Sequence, residues 1–261
     1  MDIIKSGGQP LFDFHSHILP GMDDGSGNPE LSVEMLMELK KQNVEGVIFT
    51  PHYYLKENTV EAFLEKRKAA VKSLKHAMEQ RGYKQFPYYA LGAEVHFCNK
   101  LYQISEIEKL KLGASNYFLL ELPYEKKIDL EIIEEVDTFT EVTGFTVVLA
   151  HYERYADRIT WRAERRLKNM EVIFQINADS LFKEKTISLV RRLIKRGETL
   201  VLGSDCHNMK ERSPKCMRDA NEKLEQLMSD KFLCDYYEKI NSMFAEVKGN
   251  EKLLYDWQAS I

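Results

Sequence analysis

Seven short apolar runs, separated by stretches with helical periodicity, limit this 261-residue chain to few architectures. The runs are LFDFH from Leu11, VEGVIFT from Val44, YYALGAEVHF from Tyr88, YFLLEL from Tyr117, FTVVLAH from Phe145, VIFQIN from Val172 and TLVLGSD from Thr199. Several are continuous rather than alternating, the pattern of parallel strands buried on both faces. Between them, Pro29 and Glu30 lead into LSVEMLMELKKQ, and proline suits a first helical turn. The stretch Val60–Arg81 reads as a long amphipathic helix stopped by Gly82, and further helices fit Asp129–Val142, Glu184–Arg196 and Ser213–Met228. So regular an alternation predicts an α/β fold of βαβ units with a parallel sheet, and about seven units favour a barrel over an open sheet. The sequence from Asp230 onward reads as one or two terminal helices packed outside that barrel. At this length, residues 1–261 are expected to form one domain.

A parallel βα barrel gathers its chemistry at the carboxyl ends of its strands. His15 and His17 close the first run, and His52 follows the second. Glu94, Glu121 and His151 lie at or near the ends of the third, fourth and fifth, while Asp205 and His207 close the seventh. Strand residues two apart point the same way, so His15/His17 and Asp205/His207 can each present paired ligands. A single H-x-H or D-x-H motif says little. Ionisable residues at one end of so many successive strands are hard to explain structurally, because unpaired buried charge is costly. They are read as metal ligands. Imidazole and carboxylate without thiolate suit Zn, Mn or Fe and weaken a structural-zinc reading. The set exceeds the needs of one ion; two or three ions sharing a carboxylate would use it, and such clusters activate water and clamp phosphate-ester oxygens.

Composition narrows the function classes. A net charge of −4 argues against a nucleic-acid footprint. The opening MDIIKSGGQPLFDFHSH lacks the basic and apolar regions of a signal peptide. No run approaches the ~20 apolar residues that would insert in a membrane. Cys98, Cys206, Cys216 and Cys234 show no paired framework, so free thiols in the cytoplasm are expected. His76 falls among the lysines of the long helix and reads as solvated. His96, two residues beyond Glu94, is read as a strand residue rather than a pocket-lining one.

The blocks FDFHSHILPGMDDGS, TPH, GAEV, LLEL, AHYERY and GSDCHN, in that order, resemble the polymerase and histidinol phosphatase (PHP) superfamily. HSHILPGMDDG narrows the resemblance to the bacterial manganese-dependent protein tyrosine phosphatases of capsule and exopolysaccharide loci. The motifs run from residue 13 to residue 212. This resemblance implies a distorted (βα)7-type, TIM-like barrel with a trinuclear Mn2+ site, Fe or Zn being alternatives. It implies that His15, His17, Glu94 and Asp205 hold one ion, and that Glu94 bridges to a second held by Glu121 and His151. Asp24, His52 and His207 would hold the third, with Asp23 the alternative to Asp24. It further implies that Arg154 and Arg212 contact the substrate phosphate, for which a guanidinium fork is suited, and that His207 can assist proton transfer. The implied substrate is phosphotyrosine on the tail of a bacterial tyrosine kinase controlling polysaccharide export. The alternative is a small phosphomonoester such as histidinol phosphate.

The chain departs from this pattern in about ten residues before the first strand, in Tyr152 after His151, and in Cys206 between Asp205 and His207. The first two leave the shape of the substrate entrance open. Cys206 and Arg212 also share the C-x5-R spacing of cysteine-dependent tyrosine phosphatases. The intervening HNMKE has no glycine to ease a tight phosphate loop and already contains His207, so the spacing is read as coincidence.

Overall fold

The computed structural model describes residues 9–83, 86–124 and 126–249. In chain order these form β1 (Leu11–Ser16), α1 (Pro29–Lys41), β2 (Val44–Phe49), β3 (His52–Tyr53), α2 (Val60–Gln80), β4 (Tyr88–Leu91) and β5 (Glu94–His96). There follow β6 (Tyr117–Glu121), α3 (Leu130–Thr143), β7 (Thr146–Leu149), α4 (Trp161–Leu167), β8 (Val172–Asn177), α5 (Glu184–Arg196), β9 (Thr199–Gly203), α6 (Met217–Glu225) and α7 (Asp230–Lys248). The expected helix starts rest on side-chain caps: Asn28 accepts from Leu31 N–H ahead of Pro29, and Thr59 accepts from Ala62 N–H ahead of α2.

Strand pairing is parallel throughout, in a sheet ordered β1-β2-β4 and another ordered β3-β5-β6-β7-β8-β9. The two meet twice. Where β1 ends and the chain leaves β9, Ser16 bridges Cys206, Asp205 N–H donates to His15 O at 2.8 Å and His17 N–H donates to Cys206 O at 3.1 Å. On the other side the chain itself steps from β4 to β5, with Gly92 N–H on Phe49 O at 2.9 Å. With β2 running on into β3 and β4 into β5, the strands occupy the seven expected positions as a distorted ring with an interrupted ladder. The run YYALGAEVHF is therefore two strands in two sheets. The break falls at Gly92, where a Cβ would lie 2.6 Å from Leu112 Cδ2, so glycine lets that leucine pack closely at the step.

The period-two alternation of β1 sends Asp13 and His15 to one face and Phe12 and Phe14 to the other. Phe244 of α7 stacks on Phe12 at 4.0 Å and meets Phe14 edge-on at 6.2 Å. Gly46 makes room for that ring, since a Cβ there would fall 1.9 Å from it. Helix α7 thus packs outside the strands, as expected from Asp230 onward, and the rest of that expectation falls on residues 250–261, outside the described residues. Two helical details differ from the sequence reading. The stretch Ser213–Met228 resolves into a 3-10 turn, Pro214–Cys216, and the shorter α6. Helix α4, two turns long, is too short for an amphipathic period to declare itself. Among the described residues no helix is long and apolar enough to cross a membrane.

Candidate metal centre

The carboxyl ends of the strands converge as the barrel reading requires. His15 and His17 bring their Nε2 atoms to 3.0 Å from each other, and to 3.1 and 3.2 Å from Glu94 Oε2. Asp205 Oδ1 lies 3.7 and 3.4 Å from the same two nitrogens. The other Glu94 oxygen is 2.8 Å from His151 Nε2, which is 3.4 Å from Glu121 Oε1. His52 places Nδ1 at 3.0 Å from Glu94 Oε2, and His52 and His207 place Nε2 at 3.6 and 3.3 Å from Asp24 Oδ1. All the ligand candidates read from the sequence therefore share one cluster.

Three subsets have ligand atoms within 4.8 Å of one another and could each hold a metal ion: His15–His17–Asp205, His17–Asp24–His52–His207, and His52–Glu94–Glu121. This partition differs from the implied one in detail. His17 and His52 each belong to two subsets, and His151 joins the cluster through Glu94.

Local backbone explains the convergence. His151 and Asp205, just beyond β7 and β9, both adopt left-handed φ, +31° and +49°. Such strain in non-glycine residues is held by the surrounding fold and clusters at functional sites. After β1 the chain turns back on itself, and Gly25 permits it: a Cβ there would lie 2.4 Å from His17 O. The turn separates Asp23 from Asp24. Asp23 Oδ2 accepts from His17 Nδ1 at 2.7 Å and His52 N–H at 2.8 Å, while its Oδ1 accepts from Gly25 N–H at 2.9 Å. Asp23 orients histidines, and Asp24 faces His52 and His207 with its carboxylate largely exposed.

Electrostatics favour added positive charge. Burial works against the ionised His17, yet its bond to Asp23 and the nearby Glu94 carboxylate raise it to about 10. His151 rises to about 9 against the same burial, through Glu94 and Glu121. Glu94 is wholly buried, but His15, His52 and His151 hold it well below the usual carboxylate range. Burial, His17 and Arg212 instead lower His207 to about 3. It is neutral, with Nδ1 2.9 Å from Asp205 O, so Nε2 carries a lone pair toward Asp24. That suits a ligand better than a proton donor. A metal fits these donors. His52 Nδ1 and Glu94 Oε2 approach to 3.0 Å, yet neither these atoms nor His207 Nε2 make a hydrogen bond. Buried polar atoms gathered without a shared proton are what a shared cation would satisfy.

Arg154 Nη2 and Arg212 Nη2 reach the site from opposite sides of Asp205, at 2.5 and 2.6 Å from its two oxygens. Each side chain stays about a third exposed, at 32% and 34%. Tyr152 and His96 sit differently from the sequence reading. Tyr152 is buried against Phe174 and Tyr155 and does not line an entrance. The residues before the first strand are described only from 9 onward, so the role of residues 1–8 lies outside the described residues. His96 does more than occupy a strand: its Nδ1 is 3.0 Å from Glu121 Oε2, and Tyr54 lies between it and His52.

The cysteine alternative fails on geometry. Cys206 is fully buried, which pushes its thiol well above its ordinary range, with Asp13 adding to the effect. The N–H groups of His207 and Asn208 both donate to Arg212 O, at 2.8 and 3.1 Å, so they form no phosphate cradle.

Sequence reasoning passed over Gln175 and Asn177. Gln175 Oε1 lies 2.8 Å from His15 Nδ1 and accepts from His151 N–H at 2.6 Å, and Asn177 Nδ2 donates to Asp205 Oδ2 at 2.8 Å. Two amides inside an otherwise apolar buried strand were the available signal, since a buried amide needs partners. Asp13 is similar. It accepts from Ser204 N–H and Oγ–H at 2.8 and 2.6 Å, tying β1 to the end of β9, and burial raises it to about 6 despite those bonds.

With the site in view, the chain can be compared with known proteins. The tyrosine-protein phosphatase YwqE of Bacillus subtilis is 28% identical over 210 residues, 78% of this chain and 80% of the relative. The tyrosine-protein phosphatase CpsB of Streptococcus pneumoniae is 28% identical over 225 residues, 78% and 86% of the two chains. Among solved structures, one from work on YwqE and CpsB, described there as unique metal-dependent tyrosine phosphatases, superposes with a TM-score of 0.65 at 24% identity. It covers 83% of this chain and 87% of that one. The histidinol phosphate phosphatase of Lactococcus lactis, solved with Zn, L-histidinol and phosphate, shares the fold at a TM-score of 0.50 and 16% identity, covering 83% and 93%. Residues 11–243 match the family described as capsular polysaccharide synthesis, CpsB/CapC, and the chain belongs to that family.

Proposed function

We propose that this chain is a metal-dependent protein tyrosine phosphatase, with residues 1–261 as one phosphatase domain. The observation that carries the proposal is the largely buried cluster of His15, His17, His52, Glu94, Glu121, His151, Asp205 and His207, with two arginines at its edge. In this reading these residues and Asp24 hold two or three ions, Mn2+ being the expected native metal. When bound, such ions supply Lewis acidity and a low-pKa water for in-line displacement at phosphorus.

The protein's own groups do the rest. Arg154 and Arg212 each have donors beyond those on Asp205, and their partial exposure lets them take phosphoryl oxygens as charge develops there. His17, held by Asp23, keeps one orientation, and Glu94 spans the inner and outer ligands. Phenolate is a comparatively good leaving group, with a reference tyrosine pKa of ~10, so an aryl phosphate needs less protonation than an alkyl one. This matters because neutral His207 is poorly suited to donate a proton. The substrate would be a phosphotyrosyl protein, and membership of a capsule-synthesis family points to the tail of a bacterial tyrosine kinase in the cytoplasm.

The test is turnover of the Mn2+-loaded protein on a phosphotyrosyl peptide, a phosphoseryl peptide and histidinol phosphate. The phosphotyrosyl peptide should show the highest kcat/KM. A strong preference for histidinol phosphate would move the assignment to the small phosphomonoester.

A further inference from the structure

We propose that Gln175 is a positioning residue that fixes the ring tautomer of His15 and, through Asn177, the presentation of Asp205. The inference rests on the metal-centre reading above and goes beyond its ligand set.

The hydrogen-bond polarity can be read from one unambiguous donor. His151 N–H points at a Gln175 side-chain atom 2.6 Å away, and a backbone N–H can be met only by an acceptor, so that atom is Oε1. His15 Nδ1 lies 2.8 Å from the same oxygen and must therefore carry its hydrogen. This leaves Nε2 as the ring atom facing the cluster, 3.1 Å from Glu94 Oε2 and 3.0 Å from His17 Nε2. Gln175 Nε2 then donates to Asn177 Oδ1 at 2.9 Å, and Asn177 Nδ2 donates to Asp205 Oδ2 at 2.8 Å. With Arg154 on the same oxygen, Asp205 keeps Oδ1 toward His15 and His17. His15 and the His151 backbone thus both donate into Gln175, and the chain runs on through Asn177 to Asp205.

Burial and space support the assignment. Gln175 and Asn177 are 0% and 2% exposed, so an unpaired amide in either would be costly. Gly203, across on β9, clears the path: a Cβ there would sit 2.5 Å from His15 Cβ and 2.7 Å from Gln175 Nε2. Partners that fix a ligand histidine's tautomer typically contribute about 10–100-fold in metal affinity.

The test uses Zn2+, which is diamagnetic, with affinity read by chelator competition and the His15 tautomer by NMR of imidazole-15N-labelled protein. Wild type should show His15 protonated at Nδ1. Gln175→Met should lose that signature and bind Zn2+ about 10–100-fold more weakly. Gln175→Glu keeps the acceptor and should restore the signature. Asn177→Leu should leave the tautomer alone and weaken Zn2+ binding through Asp205. If Gln175→Met cannot be isolated folded, the last two variants decide between the outcomes. Wild-type affinity and tautomer in Gln175→Met would overturn the proposal, as would loss of the signature in Gln175→Glu or an unchanged affinity in Asn177→Leu. A wild-type protein that bound no Zn2+ would overturn the metal-centre reading itself.

Discussion

The candidate site has two unlike halves. In the inner half, His15, His17, Glu94, His151 and Asp205 have side chains at most 1% exposed, and each is held by at least two other side chains. In the outer half, Asp24 is 65% exposed, and His52, Glu121, Arg154 and Arg212 are all open to some degree. The inner half is preorganised by burial and hydrogen bonding, so removing one member leaves others charged and unpaired. The outer half can exchange partners with solvent, ions and substrate. A phosphatase needs both: a rigid base that keeps its charge pattern and an edge where phosphate can enter.

The largest expected effect follows from the inner half. His15→Ala or Asp205→Ala should lower metal content and turnover by more than the ~100-fold typical of outer-shell changes. Asp24→Ala should cost less and empty only part of the site, as read by elemental analysis beside kinetics. Equal losses from both halves would break the distinction.

Next come the arginines. Arg154→Ala and Arg212→Ala should each lower kcat/KM about 100- to 1000-fold, the cost of losing a donor at a developing oxyanion. Each variant should keep its ions, because removing a cation beside Asp205 does not weaken that ligand. An emptied metal site would contradict the phosphate role of that arginine.

A pH series sharpens the comparison further. His17 and His151 are raised from 6.5 to about 10 and about 9, so in the metal-free protein both are protonated at neutral pH. Raised pKa values stabilise the metal-free fold fully below about pH 6.5, and that contribution is lost as pH climbs through 9 and 10. Bound metal must displace those protons, so Mn2+ affinity should rise about tenfold per pH unit for each proton released. Calorimetry from pH 7 to 9 should show the metal-free Tm falling while the Mn2+-loaded Tm changes less. A pH-independent affinity would show that the imidazoles are already deprotonated.

How much of this the sequence disclosed depends on the kind of residue. The strand-end ligands were legible because chemistry and period coincide: His15 and His17 two apart, and Asp205 and His207 likewise. The choice between Asp23 and Asp24 was not, since adjacent residues in a turn are separated only by the fold that Gly25 allows. The division of YYALGAEVHF into β4, paired with β2, and β5, paired with β3, depends on pairing with other segments, which no local pattern records. Gln175 and Asn177 were visible as polar residues in an apolar strand, but their partners lie on other strands. Tyr152 was legible only as a departure from the family pattern after His151; that it fills the space against Phe174 depends on the fold.

The smallest effect is expected at Cys206. Cys206→Ser should leave turnover within about twofold of wild type, because a buried, protonated thiol is neither nucleophile nor ligand. Abolished turnover with intact metal content would restore the cysteine mechanism.

The most direct test of the central claim is phosphotyrosyl-peptide hydrolysis by protein dialysed against a strong chelator, with residual metal quantified, before and after Mn2+ is returned. The account predicts negligible turnover in the metal-free protein and recovery as the ions bind. Full turnover in a sample shown to be free of metal would contradict it.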